Sequence, residues 1–257
     1  MEYLNSVEDK LETIDESNIE YINLLKHPEF FFGNVNYSPE SVDFCKYPKP
    51  AQEIMVKYGR FAADSMEDFK SASCGVRLRI STSSKRLIFK VQLKRKWGFL
   101  KLVNWSSMGF DVYGLDGDKY IHRTVFAPRD GYNIFAEVIN TPNNGELCIF
   151  LPSYNTVEKL YVGIEKGSSF KPIEYPIKNR LPVVFYGNSV TQGAAASRSG
   201  NSFPNIVSRK LNRDIINISC TSCCRGDLEI ADLIGKINCH SIVMDYTRNA
   251  YNLRVLK

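Results

Sequence analysis

Ser189 stands where a serine hydroxyl can act as a nucleophile. It follows the apolar run VVFYGN (183–188) and precedes a stretch of small and polar residues, TQGAAASRSG (191–200). A serine attacks an acyl carbon when a base takes its proton and nearby N–H groups hold the oxyanion. A serine at such a position also often caps a helix. The position alone leaves both roles open.

The surrounding pattern predicts a parallel sheet that places Ser189 at a ligand-binding edge. LPVVFY is short and continuously apolar, as in a strand buried on both faces, and DIINIS and SIVMDY predict two more strands. Between them, Ser202-Phe203-Pro204 predicts a helix start, and GDLEIADLIGKI has apolar residues at helical spacing. Alternating strands and helices indicate a parallel sheet, whose carboxyl ends carry the ligand-binding loops.

Residues 75–166 alternate between apolar and polar with a period of two. GVRLRIST and RLIFKVQLK each place their apolar residues on one face, and ELCIFLP and EKLYVGIE close the series. Asp116-Gly117 is a hairpin signal, because glycine tolerates the positive φ of a tight turn. Short strands separated by turn residues predict an antiparallel β-sandwich.

The two patterns together predict the fold class. We expect an amino-terminal antiparallel β-sandwich, jelly-roll-like, followed by a partial flavodoxin-like three-layer α/β/α domain. The predicted boundaries are an acidic lead-in at 1–30, the sandwich at 31–170, a linker at 171–182 and the α/β domain at 183–257. The linker contains three prolines, which fix φ and remove backbone donors.

Three segments carry a resemblance to a known family. GNSVTQGAAASRSGNSFPNIVSRKL (187–211) resembles the first sequence block of SGNH-type esterases, the GDSL-like hydrolases. NISCTSCCRGDLEIADLI (217–234) looks like the second block, and IVMDYTRN (242–249) looks like the third. The β-rich half is similar to the sandwich that precedes the catalytic domain in one subgroup. The resemblance implies hydrolysis of a small acyl ester, such as an acetyl group on a carbohydrate, without a metal or organic cofactor.

The resemblance also implies roles for three residues. Ser189 matches the nucleophile, and Asn249 matches the asparagine whose amide helps to hold the oxyanion, although asparagine is also a common turn residue. Ser222 stands where the family has a glycine that supplies a backbone N–H. Serine keeps the N–H, but its Cβ is costly if the position needs a positive φ.

The family's base, a histidine in a D-x-x-H motif, has no match in the chain. The three histidines are His27, His122 and His240. Two lie outside the α/β half, and His240 precedes the strand SIVMDY, which puts it about 16 Å from the edge that carries Ser189. We expect a chain truncated before this motif. If it is the whole polypeptide, we expect little or no esterase turnover and an unpaired edge on the third strand.

Composition and charge exclude several other classes. The chain has 44% hydrophobic and 24% charged residues, as in a globular protein, and its net charge of +5 is too small to indicate a nucleic-acid partner. The amino terminus is acidic where a signal peptide is basic, and no apolar run reaches the ~20 residues of a membrane span. We predict a cytoplasmic protein with no membrane or nucleic-acid partner, acting on a small-molecule or carbohydrate ester, and the sequence leaves the oligomeric state open.

The cysteines leave a second function open. Cys220-Thr-Ser-Cys223 is a C-x-x-C placed between a strand and a helix, as in thiol-disulfide oxidoreductases. With Cys224 it also gives three of the four ligands of a zinc site. Seven irregularly spaced cysteines nevertheless favour unremarkable reduced thiols.

The aromatic residues of the β-rich half leave a third function open, a non-catalytic carbohydrate-binding or structural module. Trp97, Trp105, Tyr113 and Tyr120 have the ring types that stack on sugars. Aromatic residues in β proteins lie more often in the core.

Overall fold

The β-rich half forms two antiparallel sheets that share one core. A computed structural model describes residues 16–34, 41–98 and 102–250. The strands of the two sheets are β1 (Ile19–Asn23), β2 (Phe31–Phe32), β3 (Arg77–Thr82), β4 (Arg86–Leu93), β5 (Phe110–Asp116), β6 (Lys119–Phe126), β7 (Ile134–Asn140), β8 (Glu146–Phe150), β9 (Val157–Glu165) and β10 (Phe170–Pro172). One sheet has the order β1-β9-β4-β7, and the other has the order β10-β3-β8-β5-β6 with β2 also paired to β3.

The core between the sheets is filled by the residues that the period-two pattern selects. Ile80 of β3, Phe89 of β4, Val112 of β5 and Val162 of β9 are all buried in it. The predicted hairpin joins β5 to β6, and Gly117 in its turn has a φ of +58°. Alternation therefore predicts correctly which side chains face the core.

Two strands lie outside the predicted limits of the β-rich domain. β1 falls within the predicted lead-in, yet it pairs with β9 along all five of its residues. β10 overlaps the predicted linker and pairs with β3. The lead-in and the linker therefore each contribute a strand. Residues 1–15 of the lead-in and residues 251–257 of the predicted α/β domain lie outside the described residues.

The second half contains a three-stranded parallel sheet with β11 in its centre. Its strands are β11 (Val183–Gly187), β12 (Ile215–Asn217) and β13 (Ser241–Asp245), in the order β12-β11-β13. The described α-helices are α1 (Lys49–Val56), α2 (Arg60–Phe69), α3 (Asn104–Ser107), α4 (Ser189–Gln192), α5 (Phe203–Leu211) and α6 (Leu228–Ile234). The three strands and the two longer helices predicted for this half are all present.

Helices cover both faces of the parallel sheet, and two of them come from the first half of the chain. Phe203 of α5 packs on the face formed by Val183 and Phe185. The opposite face, with Val184 of β11, shares a core with α1, α2 and α6, including the buried Phe69. Residues 49–69, which fall within the predicted sandwich, thus complete the α/β half.

The outer face of the second sheet is covered at β3 and β5. The period-two pattern turns Arg77 of β3 away from the core, and its side chain is fully buried in an ion pair with Asp214, just before β12. Tyr175 accepts a hydrogen bond from Arg77 Nε at 2.6 Å. On β5, the buried Asp111 pairs with Arg198 at 3.0 Å. These polar contacts fix the two halves against each other.

Among the described strands, β12 and β13 form the two edges of the parallel sheet, and β13 pairs with β11. Its residues Ile242, Val243 and Met244 are 44%, 38% and 50% exposed.

No helix among the described residues is long and apolar enough to cross a bilayer. The mixed α/β class agrees with the prediction, whereas the jelly-roll-like and flavodoxin-like descriptions stay predictions.

Candidate active site

Ser189 is the first residue of α4, directly after the central strand. The cap of this helix is Asn188, whose Oδ1 accepts a hydrogen bond from the N–H of Val190 at 2.8 Å. Ser189 is half-buried, and no side chain in the described ranges hydrogen-bonds its hydroxyl. The capping role that the sequence left open for Ser189 therefore belongs to its neighbour.

Close backbone contact brings the start of α4 against the end of β13. A Cβ added at Gly187 would lie 2.3 Å from Thr191 Oγ1 and 2.8 Å from the carbonyl oxygen of Asp245, so only glycine fits between them. Thr191 Oγ1 donates to the Asp245 carboxylate at 2.8 Å, and Asn188 Nδ2 donates to the Asp245 carbonyl at the same distance. These bonds hold Ser189 at the carboxyl edge of the sheet.

Ser222 lies in a turn that follows β12 and spans residues 220–224. Its φ is +64°, in the left-handed region that favours glycine. The turn reaches over the end of β11, because the N–H of Cys220 donates to the Gly187 carbonyl at 3.3 Å. Gln192 of α4 also binds it, through Oε1, which accepts from the N–H of Thr221 at 2.8 Å. The position that the family resemblance assigns to glycine thus has the backbone that glycine prefers.

Tyr154, from the loop after β8, joins the same network. Its hydroxyl donates to the carbonyl oxygen of Ser189 at 2.8 Å and lies 3.1 Å from Thr221 Oγ1. Burial raises the pKa of Tyr154 well above its ordinary value, so the group remains a neutral donor. Nothing in the sequence around Tyr154 marks it for this position, whereas Gln192 lies inside the segment that carries the family resemblance.

Asn249 follows β13 and contacts the same turn from the other side. Its Nδ2 donates to the carbonyl oxygen of Cys224 at 2.9 Å. A primary amide has two N–H donors, so this bond uses one and leaves the other. The turn 220–224 is therefore bonded to the segment of Ser189 on one side and to Asn249 on the other. The three candidate residues follow the carboxyl ends of three adjacent parallel strands.

The imidazole groups of the chain all lie in other surroundings. His27 Nδ1 is 3.1 Å from Glu29, and His122 Nε2, on β6, is 3.1 Å from Asp111. The N–H of His240 donates to Pro182, and the next residue pairs with Val183 at the amino end of β11. Ser189 follows the opposite end of that strand. The predicted separation of His240 from Ser189 agrees with this register.

The C-x-x-C cysteines are buried free thiols. Cys220, Cys223 and Cys224 are all 0% exposed. A hydrogen bond with Cys223 and burial raise the pKa of Cys220 well above its ordinary value, and burial raises that of Cys224 to about 12. A reactive redox thiol needs a lowered pKa and solvent access, so these surroundings oppose that chemistry. No group of three potential metal ligands occurs within the described ranges.

Two family models match the chain and divide it as the two sequence patterns do. The model for the N-terminus of SGNH hydrolase-type esterases matches residues 55–170, and the GDSL-like lipase/acylhydrolase family matches residues 180–257. The chain therefore belongs to the SGNH-type, GDSL-like hydrolase family.

Two solved structures share the fold. A GDSL-like lipase from Bacteroides ovatus ATCC 8483 is 22% identical, with 90% of this chain and 65% of that chain covered and a TM-score of 0.75. The salicylyl-acyltransferase SsfX3, from a tetracycline biosynthetic pathway, is 15% identical, with 91% and 64% covered and a TM-score of 0.69. The chain thus spans slightly less than two thirds of either protein. No curated protein matches it.

Proposed function

We propose that the chain is a serine esterase in which Ser189 attacks the acyl carbon of a small acyl ester. The acyl group is acetyl-sized, and the alcohol is a carbohydrate. The N–H of Ser222 and the amide of Asn249 stabilise the tetrahedral oxyanion, whose collapse breaks the ester C–O bond and releases the alcohol, which carries the proton lost by Ser189. Water then hydrolyses the acyl-serine to the free acid and regenerates the hydroxyl. Neither step requires a metal or an organic cofactor.

One observation carries this proposal: a single turn connects the segments of all three residues. The turn 220–224 bonds to α4 through Thr221 and to Asn249 through Cys224. The Ser189 hydroxyl is half-buried and has no competing side-chain partner among the described residues. A nucleophile needs this freedom, since a hydroxyl committed to a structural hydrogen bond is less available for attack.

We expect this chain to hydrolyse esters slowly, because no histidine lies next to Ser189 in the described part of the chain. A serine needs a proton acceptor within hydrogen-bond reach, and the histidines occupy other sites. Oxyanion stabilisation and binding alone leave a residual acceleration of about 10³–10⁴ over water in serine hydrolases that lack a triad member. We therefore expect slow turnover that an added base increases.

Hydrolysis of p-nitrophenyl acetate with added imidazole tests the proposal. Imidazole can take the place of the proton acceptor, so it should increase the rate of the wild-type protein beyond its own background reaction. Ser189→Ala should abolish this protein-dependent part. Ser197→Ala is the matched control, because Ser197 is an exposed serine on the loop that follows α4.

Mass spectrometry of the acylated protein adds a second readout. An acetyl group on the Ser189 peptide, absent from Ser189→Ala, is the expected result. Equal imidazole-dependent rates for the wild type and Ser189→Ala would remove Ser189 as the nucleophile and refute the proposal.

A further inference from the structure

The four aromatic residues that could stack on sugars differ in their exposure to solvent. Tyr113 is buried at 3% exposure and Tyr120 is half-buried, with its hydroxyl bonded to Asn212. Trp97 and Trp105, by contrast, are 66% and 60% exposed. Aromatic rings in β proteins usually lie in the core, so two tryptophans in solvent call for an explanation other than packing.

A third exposed ring, Tyr132 at 55%, lies on the same surface. The ring of Trp97 packs against Gly131, where an added Cβ would lie 3.3 Å from it. Gly98 is close to Asn104 and Ser107, which bracket Trp105. Two loops and α3 therefore meet here, and we call the exposed rings of Trp97, Trp105 and Tyr132 the aromatic patch.

Polar side chains next to the rings in sequence link the segments of this patch. The amide of Asn104 donates to the carboxylate of Asp130, and this bond connects α3, which carries Trp105, to the loop of Tyr132. Asn133 Nδ2 donates to the carbonyl oxygen of Leu93 at 2.7 Å, which ties the same loop to the end of β4. Hydrogen bonds thus connect the loop of Tyr132 to α3 and to the end of β4.

The patch adjoins the segment of the candidate nucleophile. Ser106, next to Trp105, donates through Oγ to the carbonyl oxygen of Gly193 at 3.4 Å. The N–H of Gly193 in turn donates to the carbonyl oxygen of Ser189 at 3.1 Å. Buried hydrogen bonds therefore link the segment of Trp105 to the segment of Ser189.

We propose that the aromatic patch binds a carbohydrate, with sugar rings stacked on Trp97 and Trp105. A pyranose has C–H faces that pack on aromatic rings and hydroxyl edges that need polar partners, and the patch supplies both within a few residues. A lipid surface would favour a continuous apolar area, which the charged Asp130 interrupts. The site is separate from the chemistry of Ser189, so binding does not require hydrolysis.

Tryptophan fluorescence measures this binding directly, because both tryptophans of the chain belong to the patch. The probes are neutral oligosaccharides of glucose, xylose and mannose, added to the full-length protein. We expect a saturable change in emission with at least one of them. Trp105→Ala, with Trp97 as the remaining reporter, should weaken that binding about tenfold, which corresponds to about 1.4 kcal/mol and the upper range of one aromatic contact.

The controls separate the patch from folding and from catalysis. Phe61→Ala removes an aromatic residue that is also 66% exposed but lies on α2, and it should leave affinity unchanged. Ser189→Ala should bind as the wild type does, so loss of hydrolysis alone does not affect the result. Absence of binding across the three sugar series, equal affinity in Trp105→Ala, or binding to phosphatidylcholine vesicles instead would each refute the proposal.

Discussion

Replacement of Ser222 by glycine should stabilise the protein. Ser222 has a φ of +64°, and the hydroxyl has no side-chain hydrogen bond within the described ranges. A non-glycine residue in the left-handed region costs about 1–2 kcal/mol, because its Cβ approaches the following carbonyl oxygen. Glycine avoids this cost but has about 0.4–1 kcal/mol more freedom to lose from the unfolded chain. The difference is a gain of about 1 kcal/mol in the free energy of unfolding.

Urea unfolding followed by circular dichroism measures this gain as a higher midpoint with an unchanged slope. For a chain of this size, about 1 kcal/mol corresponds to a rise of about 2–4 °C in the melting temperature. Two neighbouring alanines provide the controls. Ala195 has a φ of +63°, so Ala195→Gly should stabilise similarly. Ala196 does not share this conformation, so Ala196→Gly should destabilise by about 0.5–1 kcal/mol.

A loss of stability in Ser222→Gly together with a gain in Ala195→Gly would refute this reasoning. It would mean that contacts of the Ser222 side chain stabilise the fold by more than its left-handed backbone destabilises it. Destabilisation by all three glycine variants would also contradict it, because it would show that a left-handed backbone costs no stability at either position.

Two further predictions concern the network behind the candidate site. Tyr154→Phe should lower the free energy of unfolding by about 0.5–1.5 kcal/mol, because it removes one hydrogen bond to the Ser189 carbonyl oxygen, which keeps the N–H groups of Gly193 and Ala194 as donors; an unchanged urea midpoint would contradict this. The pKa of Cys224, about 12 in the folded chain, lies above that of an unfolded thiol, so the unfolded state releases its proton first and stability falls as pH rises from about 9 to 12. Cys224→Ala should flatten that decline by up to about 1.4 kcal/mol per pH unit, and parallel alkaline unfolding curves for the two proteins would show that the thiol does not titrate in this way.

Local patterns were sufficient for the individual elements of the fold. Alternation identifies Ile80 and Phe89 as core residues, and the continuous run at 183–187 identifies the central strand. The same patterns say little about which elements pack together. Arg77 reads as a solvent-facing residue of a strand, yet it is fully buried, because the second half of the chain covers that face and supplies Asp214.

In the candidate site too, local sequence patterns predict some residues, while others depend on contacts between distant segments. Ser189, Ser222 and Asn249 can be selected from segments that resemble a family, and their order along the chain fits adjacent strands. The role of Asn188 as helix cap was not expected, since a serine and an asparagine side by side are equally good caps. Tyr154 was missed because it is far from Ser189 in sequence and its contact forms only when the two halves meet.

The position of α1 and α2 makes strands β3 to β10 of the two-sheet region an insertion in chain order. These helices are synthesised early, but the apolar surface that they share with Val184 and Ile230 is synthesised late. The burial of their apolar side chains, Met55 and Phe69 among them, is complete only after the strands and helix from residue 183 onwards have been synthesised. A cut in the backbone at 173–182 would therefore divide the polypeptide without dividing this core, whereas a fragment that stops before residue 183 would leave both helices without the sheet they cover.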